Sequence, residues 1–290
     1  MTVLHSPIFW FGGKGHMRTK ILPLLPAHRE YIEPFFGGGS IFFAKEPALV
    51  ETINDLDSAV MSFFRVLRDQ PEEFLRLAQL TPYSRELYSE CRATWREEPD
   101  PVRRAWRWWV VARMTFSGTH SWSSVVTYTC RGMASTASKL LSSVDALPEV
   151  ISRLQRTQIE NAPALRVLER YCTPTSLAYL DPPYIHGTRS KDHPYTHEMA
   201  DADHEALVEA ILRLPGRFVL SGYVHPIYEP LEAAGCIRVD FQTACHAAGK
   251  TRTSNLQGEG TGLANQPRTE SVWLDPATAQ EVLTPQTLAM

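Results

Sequence analysis

Tyr31-Ile32-Glu33-Pro34-Phe35-Phe36-Gly37-Gly38-Gly39-Ser40-Ile41-Phe42-Phe43-Ala44 is the stretch that decides the fold. Apolar residues lead into an acid and a proline, three glycines follow, and an apolar run resumes. This pattern predicts a short strand, a glycine loop and a helix start, the repeating unit of a nucleotide-binding α/β sheet. Val50 to Ile53 then reads as a second strand, ending in Asn54-Asp55 eighteen residues after Gly37. An acid at that tip is placed to accept hydrogen bonds from a ribose. The loop lacks both G-x-G-x-x-G and the Gly-Lys-Ser/Thr ending of a P-loop, which lowers the dinucleotide and nucleoside triphosphate readings. Taken alone it is compatible with NAD, FAD, a phosphate or no ligand. Glu33 and Pro34 suit a cofactor with hydroxyls and an amino-acid group better than a pyrophosphate.

Upstream, Ile8-Phe9-Trp10-Phe11-Gly12-Gly13-Lys14-Gly15 passes from apolar residues into a glycine turn and is not regular throughout. Downstream, Ala59 to about Asp100 has helical apolar spacing, divided by Pro71, Pro82 and Pro99. Val102 to Phe116 is also helical and rich in Trp, which fits a core helix. Ser117 to Ser138 is rich in Ser, Thr and Gly around Val125-Val126-Thr127-Tyr128-Thr129, and predicts a hairpin or extended loop projecting from a helical bundle. After about Leu154 the α/β pattern returns, with strands at Ser176–Leu180, Phe218–Ser221 and near Ser271–Leu274, and a helix over roughly Asp203–Leu214. Thr243 to Pro267 reads as a mobile connection.

The tetrapeptide Asp181-Pro182-Pro183-Tyr184 follows a predicted strand directly. Two prolines remove two backbone donors and hold the chain in an extended turn, so that the Pro182 carbonyl is aimed outward. An exocyclic amine on a base is a poor nucleophile because its lone pair is conjugated with the ring. A carboxylate and a carbonyl that both accept from that NH2 draw the nitrogen toward tetrahedral geometry and free the lone pair. Tyr184 adds a face on which a base can stack. The same four residues would also make a rigid turn over a buried Tyr.

Trp10-Phe11-Gly12-Gly13-Lys14, Glu33 through Ser40, Asn54-Asp55-Leu56-Asp57 and Asp181 through Tyr184 together resemble the Dam-type, phage-like N6-adenine-specific DNA methyltransferases. Tyr195, His197, the Asp203–Leu207 run, Leu220-Ser221-Gly222-Tyr223, Arg268, Glu270 and Trp273 extend the resemblance nearly end to end. It implies a Rossmann-like methyltransferase sheet formed by residues 1–57 and 158–290. Residues 58–157 would be an inserted, mostly helical target-recognition domain carrying a β-hairpin. It implies S-adenosylmethionine as cofactor, held by Trp10, Lys14, Glu33, Pro34, Phe35, Gly37, Gly39, Ser40, Asp55 and Asp181. Catalysis would fall to Asp181, Pro182, Pro183 and Tyr184, acting on N6 of an adenine flipped out of double-stranded DNA. A homodimer is left open.

Composition is consistent with this reading. The 290 residues are 43% hydrophobic and 21% charged, ordinary values for a globular protein, so disorder and coiled coil are disfavoured. No apolar run spans a membrane and no leader is visible, which predicts a cytoplasmic protein without membrane contact. The five cysteines are scattered, with no C-x-x-C pair, so no metal is expected. The net charge of −3 is unevenly distributed, since residues 58–157 carry +4 and the remainder −7. From Pro101 to Val144 there are six basic residues and no acid, either a solvated face or a phosphate-facing one. Arg103, Arg104, Arg107, Ser121, Trp122, Ser123, Arg131 and Lys139 are the DNA-contact candidates, with Trp122 as a base-step wedge. RNA or protein amine methyltransferases would share the cofactor loop and a Pro-Pro-Tyr motif, although the basic insert and the motif order favour duplex DNA. The alternatives kept are a cytosine-N4 methyltransferase, which commonly shows Ser in place of Asp181, and a catalytically silent DNA-binding regulator. No Pro-Cys nucleophile for cytosine-C5 chemistry occurs.

Overall fold

The computed structural model describes residues 4–115, 122, 128–185, 197–244 and 267–283. After an N-terminal turn and the short helix α1 (Arg18–Ile21) come β1 (Glu30–Glu33) and β2 (Val50–Asn54), with the glycine loop between them. Four helices follow: α2 (Ser58–Asp69), α3 (Pro71–Gln79), α4 (Arg85–Thr94) and α5 (Pro101–Met114). Their starts are written in the sequence. Asp57, Ser84 and Asp100 accept the backbone N–H of Ala59, Leu87 and Arg103, and Pro71 and Pro101 open α3 and α5 where the missing N–H costs nothing. A small hairpin, β3 (Thr129–Cys130) and β4 (Met133–Ala134), leads into α6 (Ser135–Asp145) and α7 (Leu147–Leu154). The chain continues through β5 (Thr157–Glu160), α8 (Ala164–Tyr171), β6 (Ser176–Leu180), α9 (Asp201–Ile211), β7 (Arg217–Gly222) and α10 (Glu229–Ala233). It ends with β8 (Ile237–Ala244), β9 (Pro267–Leu274) and α11 (Pro276–Leu283).

Seven strands form one sheet in the order β5-β2-β1-β6-β7-β9-β8. The first five are mutually parallel, while β9 runs antiparallel to both β7 and β8. Because β2 and β5 lie on one side of β1, and β6 and β7 on the other, the strand order reverses between β1 and β6. In open α/β sheets the crevice at the carboxyl ends of such a pair is where ligands bind. Every residue of β6 is buried, as expected of a central parallel strand covered on both faces.

Three expectations change. Ile41-Phe42-Phe43-Ala44 forms hydrogen-bonded turns and no helix: Phe43 donates to the Gly39 carbonyl and Lys45 to that of Ile41, and Pro47 stops the run. Ile41, Phe42 and Phe43 are all buried, which leaves no solvent face for an amphipathic helix. The hairpin is only two residues per strand, turned by Arg131 and Gly132 at φ 52° and 73°, the pair of positive angles a tight hairpin prefers. The last strand is longer than expected and pairs along its length with β8, which the sequence reading did not anticipate. The connection expected to be mobile over Thr243–Pro267 has its ends in β8 and β9, and its residues 245–266 lie outside the described residues, as do 116–121 and 123–127 of the expected hairpin or extended loop.

The helices after β2 share a core with the sheet. Phe36 of the glycine loop stacks edge-on against Phe64 of α2 at 5.0 Å, and Phe63 lies 5.3 Å from Trp108 of α5. Phe74 of α3 meets the fully buried Trp109 at 5.9 Å. The Trp residues of α5 are thus mostly core, and a second cluster on the other sheet face joins α8, α9 and α10 to Trp273.

Candidate active site

A cavity of about 320 Å³ lies at the carboxyl ends of β1 and β6. Every residue expected at a cofactor lines it: Trp10, Lys14, Glu33, Pro34, Phe35, Gly37, Gly39, Ser40, Asp55 and Asp181. Pairing of Ile32 with Ala178 puts Glu33, the last residue of β1, beside the end of β6, from which Asp181 emerges.

Gly37 and Gly39 have φ of 48° and 67°, the left-handed region in which side chains are strained. Contact reinforces conformation: a Cβ on Gly37 would strike the Trp10 indole, and one on Gly39 the Phe36 ring. Trp10 therefore lies directly on the loop. Asp55 fixes the loop from below, its Oδ2 accepting the Gly37 N–H at 2.7 Å and its Oδ1 the Asp57 N–H at 2.9 Å. Burial pushes its carboxyl above the usual range, and these backbone donors oppose the shift. A carboxylate offers about four acceptor positions, so two remain for a ligand's hydroxyls.

The electrostatic centre is Asp181. Lys14 Nζ donates to Asp181 Oδ1 at 2.6 Å and to Oδ2 at 2.8 Å, and stands 4.5 Å from the centroid of the Tyr184 ring. Burial raises the Asp181 carboxyl, and the Lys14 ammonium works against that rise. Glu33, fully enclosed, is pushed up to about 8 by burial, despite the 2.7 Å hydrogen bond donated by Tyr31. Glu270 of β9 faces the same centre. Burial pushes its carboxyl up, but the 3.1 Å hydrogen bond with His16 and the Lys14 charge outweigh it, and the net direction is down.

Pro183 lines the cavity, whereas Tyr184 is 7% exposed and packs edge-on to Tyr223 at 4.6 Å. Sequence reasoning missed the wall contributed by Ala162 and Pro163, between β5 and α8, and by Leu165 in the first turn of α8. That loop is tied to β2 by Asn54, whose amide donates to the Ala162 carbonyl at 3.0 Å and accepts its N–H at 2.9 Å. An Asn closing a strand was the available signal. Leu56 and Leu165 give the cavity apolar lining, and Asp55, Glu33 and Asp181 give it carboxyl groups.

The expected nucleic-acid contacts are dispersed. Arg103 and Lys139 are exposed, and Arg104 donates to the Glu98 carbonyl at 3.2 Å. Arg107 is ion-paired with Glu90 at 2.8 Å and Glu98 at 3.1 Å. Arg131 turns back to the Ser138 hydroxyl and carbonyl, serving the hairpin and α6. Trp122 packs between Tyr83 and Tyr88, at 5.0 and 5.2 Å, and does not project. The hairpin's exposed aromatic is Tyr128, 64% accessible. Ser121 and Ser123 lie outside the described residues.

The family described as D12 class N6 adenine-specific DNA methyltransferase matches residues 10–223. A Type II methyltransferase, M1.LlaDCHI of Lactococcus lactis subsp. cremoris, is 32% identical over 120 residues, covering 38% of this chain and 41% of the relative. The DNA adenine methylases of Vibrio cholerae and Escherichia coli K12 are each 26% identical over 113 residues, 38% of this chain and 40% of theirs. The chain thus spans about two fifths of the length of the curated relatives it matches.

Proposed function

The chain belongs to the D12 class of N6 adenine-specific DNA methyltransferases, and from that premise we propose that it transfers a methyl group from S-adenosylmethionine to N6 of an adenine in double-stranded DNA. The observation that carries this reading is Asp181 at the end of β6, beside the glycine-loop cavity and followed by two prolines and a tyrosine. When bound, the cofactor supplies an electrophilic methyl group on a sulfonium. Asp55 would take the ribose hydroxyls, Leu56 and Leu165 the adenine ring, and Glu33 the amino-acid end, with Trp10 and Phe35 closing the loop side.

This chain's own residues supply the activation. Asp181 Oδ and the Pro182 carbonyl accept the two N–H groups of the target amine, turn its lone pair out of conjugation and hold it toward the methyl donor. Tyr184, stiffened by Tyr223, offers the face for the base. Duplex contact is assigned to the acid-free stretch through Arg103, Arg104 and Lys139, with Tyr128 as the aromatic that reaches the stack. Cytosine-N4 chemistry and a silent DNA-binding role are disfavoured by the intact Asp181 motif. The test is transfer of labelled methyl to duplex DNA by the wild type and by Asp181→Ala. The variant should lose roughly 10²–10³ in rate while retaining DNA affinity; near-normal turnover would reject the assignment.

A further inference from the structure

Lys14 lines the cofactor cavity, but its ammonium is engaged by Asp181 and the Tyr184 ring, the groups expected at the target amine. Its ammonium has three donors. Two meet Asp181 at 2.6 and 2.8 Å, and the Gly12 carbonyl is 3.4 Å away. The same nitrogen stands over the Tyr184 ring at 4.5 Å. An N–H donor group against the Asp181 carboxylate and over the Tyr184 face is also what the target amine must become. Both cannot be there together.

A second carboxylate faces the same centre and feels the Lys14 charge. Glu270, with 10% of its side chain accessible, already accepts from His16 at 3.1 Å. His16 belongs to the same helical turn as Lys14. The backbone there is pinned, with Gly13 N–H on the Trp10 carbonyl and Met17 N–H on that of Lys14. Only the flexible lysine side chain has to move.

Resting on the adenine-methylation reading of this site, we propose that Lys14 is a positioning residue that gates Asp181. In the free protein it fills the place of the target amine, and the incoming amine displaces it onto Glu270. The groups facing Asp181 are Lys14 and His16 from the N-terminal turn, Glu270 from β9, Glu33 from β1, Tyr179 from β6 and Tyr228 from the turn before α10. The gate opposes the rise that burial imposes on the Asp181 carboxyl and closes it to other donors until a base arrives. It also separates Lys14 from cofactor binding, the role its place in the glycine turn suggests.

Lys14→Met, Glu270→Gln and the double variant test this in one set, with cofactor affinity measured by calorimetry and methyl transfer to duplex DNA measured from pH 5 to 9. In Lys14→Met the cofactor affinity should stay within about threefold of wild type. Its KM for DNA should fall, because the competitor is gone, and the acid limb of its rate profile should move to higher pH as Asp181 loses its cation. Glu270→Gln removes the second seat, so KM should rise roughly tenfold with kcat little changed. That rise should vanish in the double variant, where no lysine needs a seat. Lys14→Arg, which grips Asp181 with a bidentate fork, should raise KM and carries the comparison if the Met variant does not fold. Additive effects in the double variant, or a tenfold loss of cofactor affinity in Lys14→Met, would overturn the gate while leaving wild-type methylation intact. A wild type that methylates no DNA would overturn the parent reading, and the gate with it.

Discussion

Asp55 does two jobs with one carboxylate. It ties down the glycine loop through the Gly37 and Asp57 N–H groups, and it lines the cavity. Asp55→Ala should therefore weaken S-adenosylmethionine binding by about 1.5–3 kcal/mol and also lower the melting temperature. Asp55→Asn, which can still accept one of the two N–H groups, should recover part of the stability and less of the affinity. Calorimetry and thermal melting on both variants check this, and an unchanged affinity in Asp55→Ala would remove Asp55 from the ligand set. Glu33 makes a pH-dependent forecast. Its folded pKa of about 8 lies above the ordinary carboxyl value of 4.5, so the folded state holds a proton that the unfolded state releases. The stability it contributes is complete below about pH 4.5 and is lost as pH rises to 8. Glu33→Gln should accordingly gain stability relative to wild type at pH 8.5 and not at pH 4.5. Urea titrations at the two values read the difference, and equal shifts at both would show that Glu33 is ionised throughout.

The glycine loop is the element in which sequence and geometry agree best. Its three glycines, the acid before it and the acid eighteen residues on were all legible, because positive φ and close backbone approach leave few residue choices. Gly37→Ala should collide with the Trp10 indole in a strained conformation, costing about 1–3 kcal/mol, and should weaken cofactor binding together with stability. A variant with wild-type melting and affinity would mean that Trp10 does not rest on the loop. The helix expected after the loop was not legible as turns, since burial of Ile41, Phe42 and Phe43 together is a property of the whole core. The intramolecular partners of Arg107 and Trp122 were not legible for a related reason. These partners, Glu90 and Glu98 for one and Tyr83 and Tyr88 for the other, belong to α4 and its flanks, and no local pattern shows that pairing. Arg103 and Arg107 now make opposite forecasts. Arg103→Ala should reduce the salt dependence of DNA binding by roughly 0.9 log unit per log salt, whereas Arg107→Ala should leave that slope alone and lower the melting temperature. Binding isotherms at several salt concentrations separate the two.

Across the whole molecule, the sheet order explains why motifs 148 residues apart along the chain meet at one cavity. Glu33 and Asp181 end adjacent parallel strands at the point where the order reverses. The α/β class and the motif order were legible from the sequence, whereas the edge pair β8 and β9 was only half seen and the wall from the β5–α8 loop was missed. The expected boundaries at residues 57 and 157 do not divide the core, since Phe63, Phe64 and Trp108 pack continuously with Phe36 and Phe43. Arg153 of α7 reaches back to Glu51 of β2 at 2.8 Å, where Lys45 also meets it at 2.7 Å, so a buried charge cluster joins the helical segment to the sheet. A single cooperative unfolding transition follows from that shared interior. The most direct test of the central claim is to incubate the protein with S-adenosylmethionine and unmethylated duplex DNA, digest the product and identify the modified nucleoside by mass spectrometry. N6-methyldeoxyadenosine, formed roughly 10²–10³-fold more slowly when Asp181→Ala replaces the wild type, is the predicted result; N4-methyldeoxycytidine, or no methylated nucleoside at all, would contradict it.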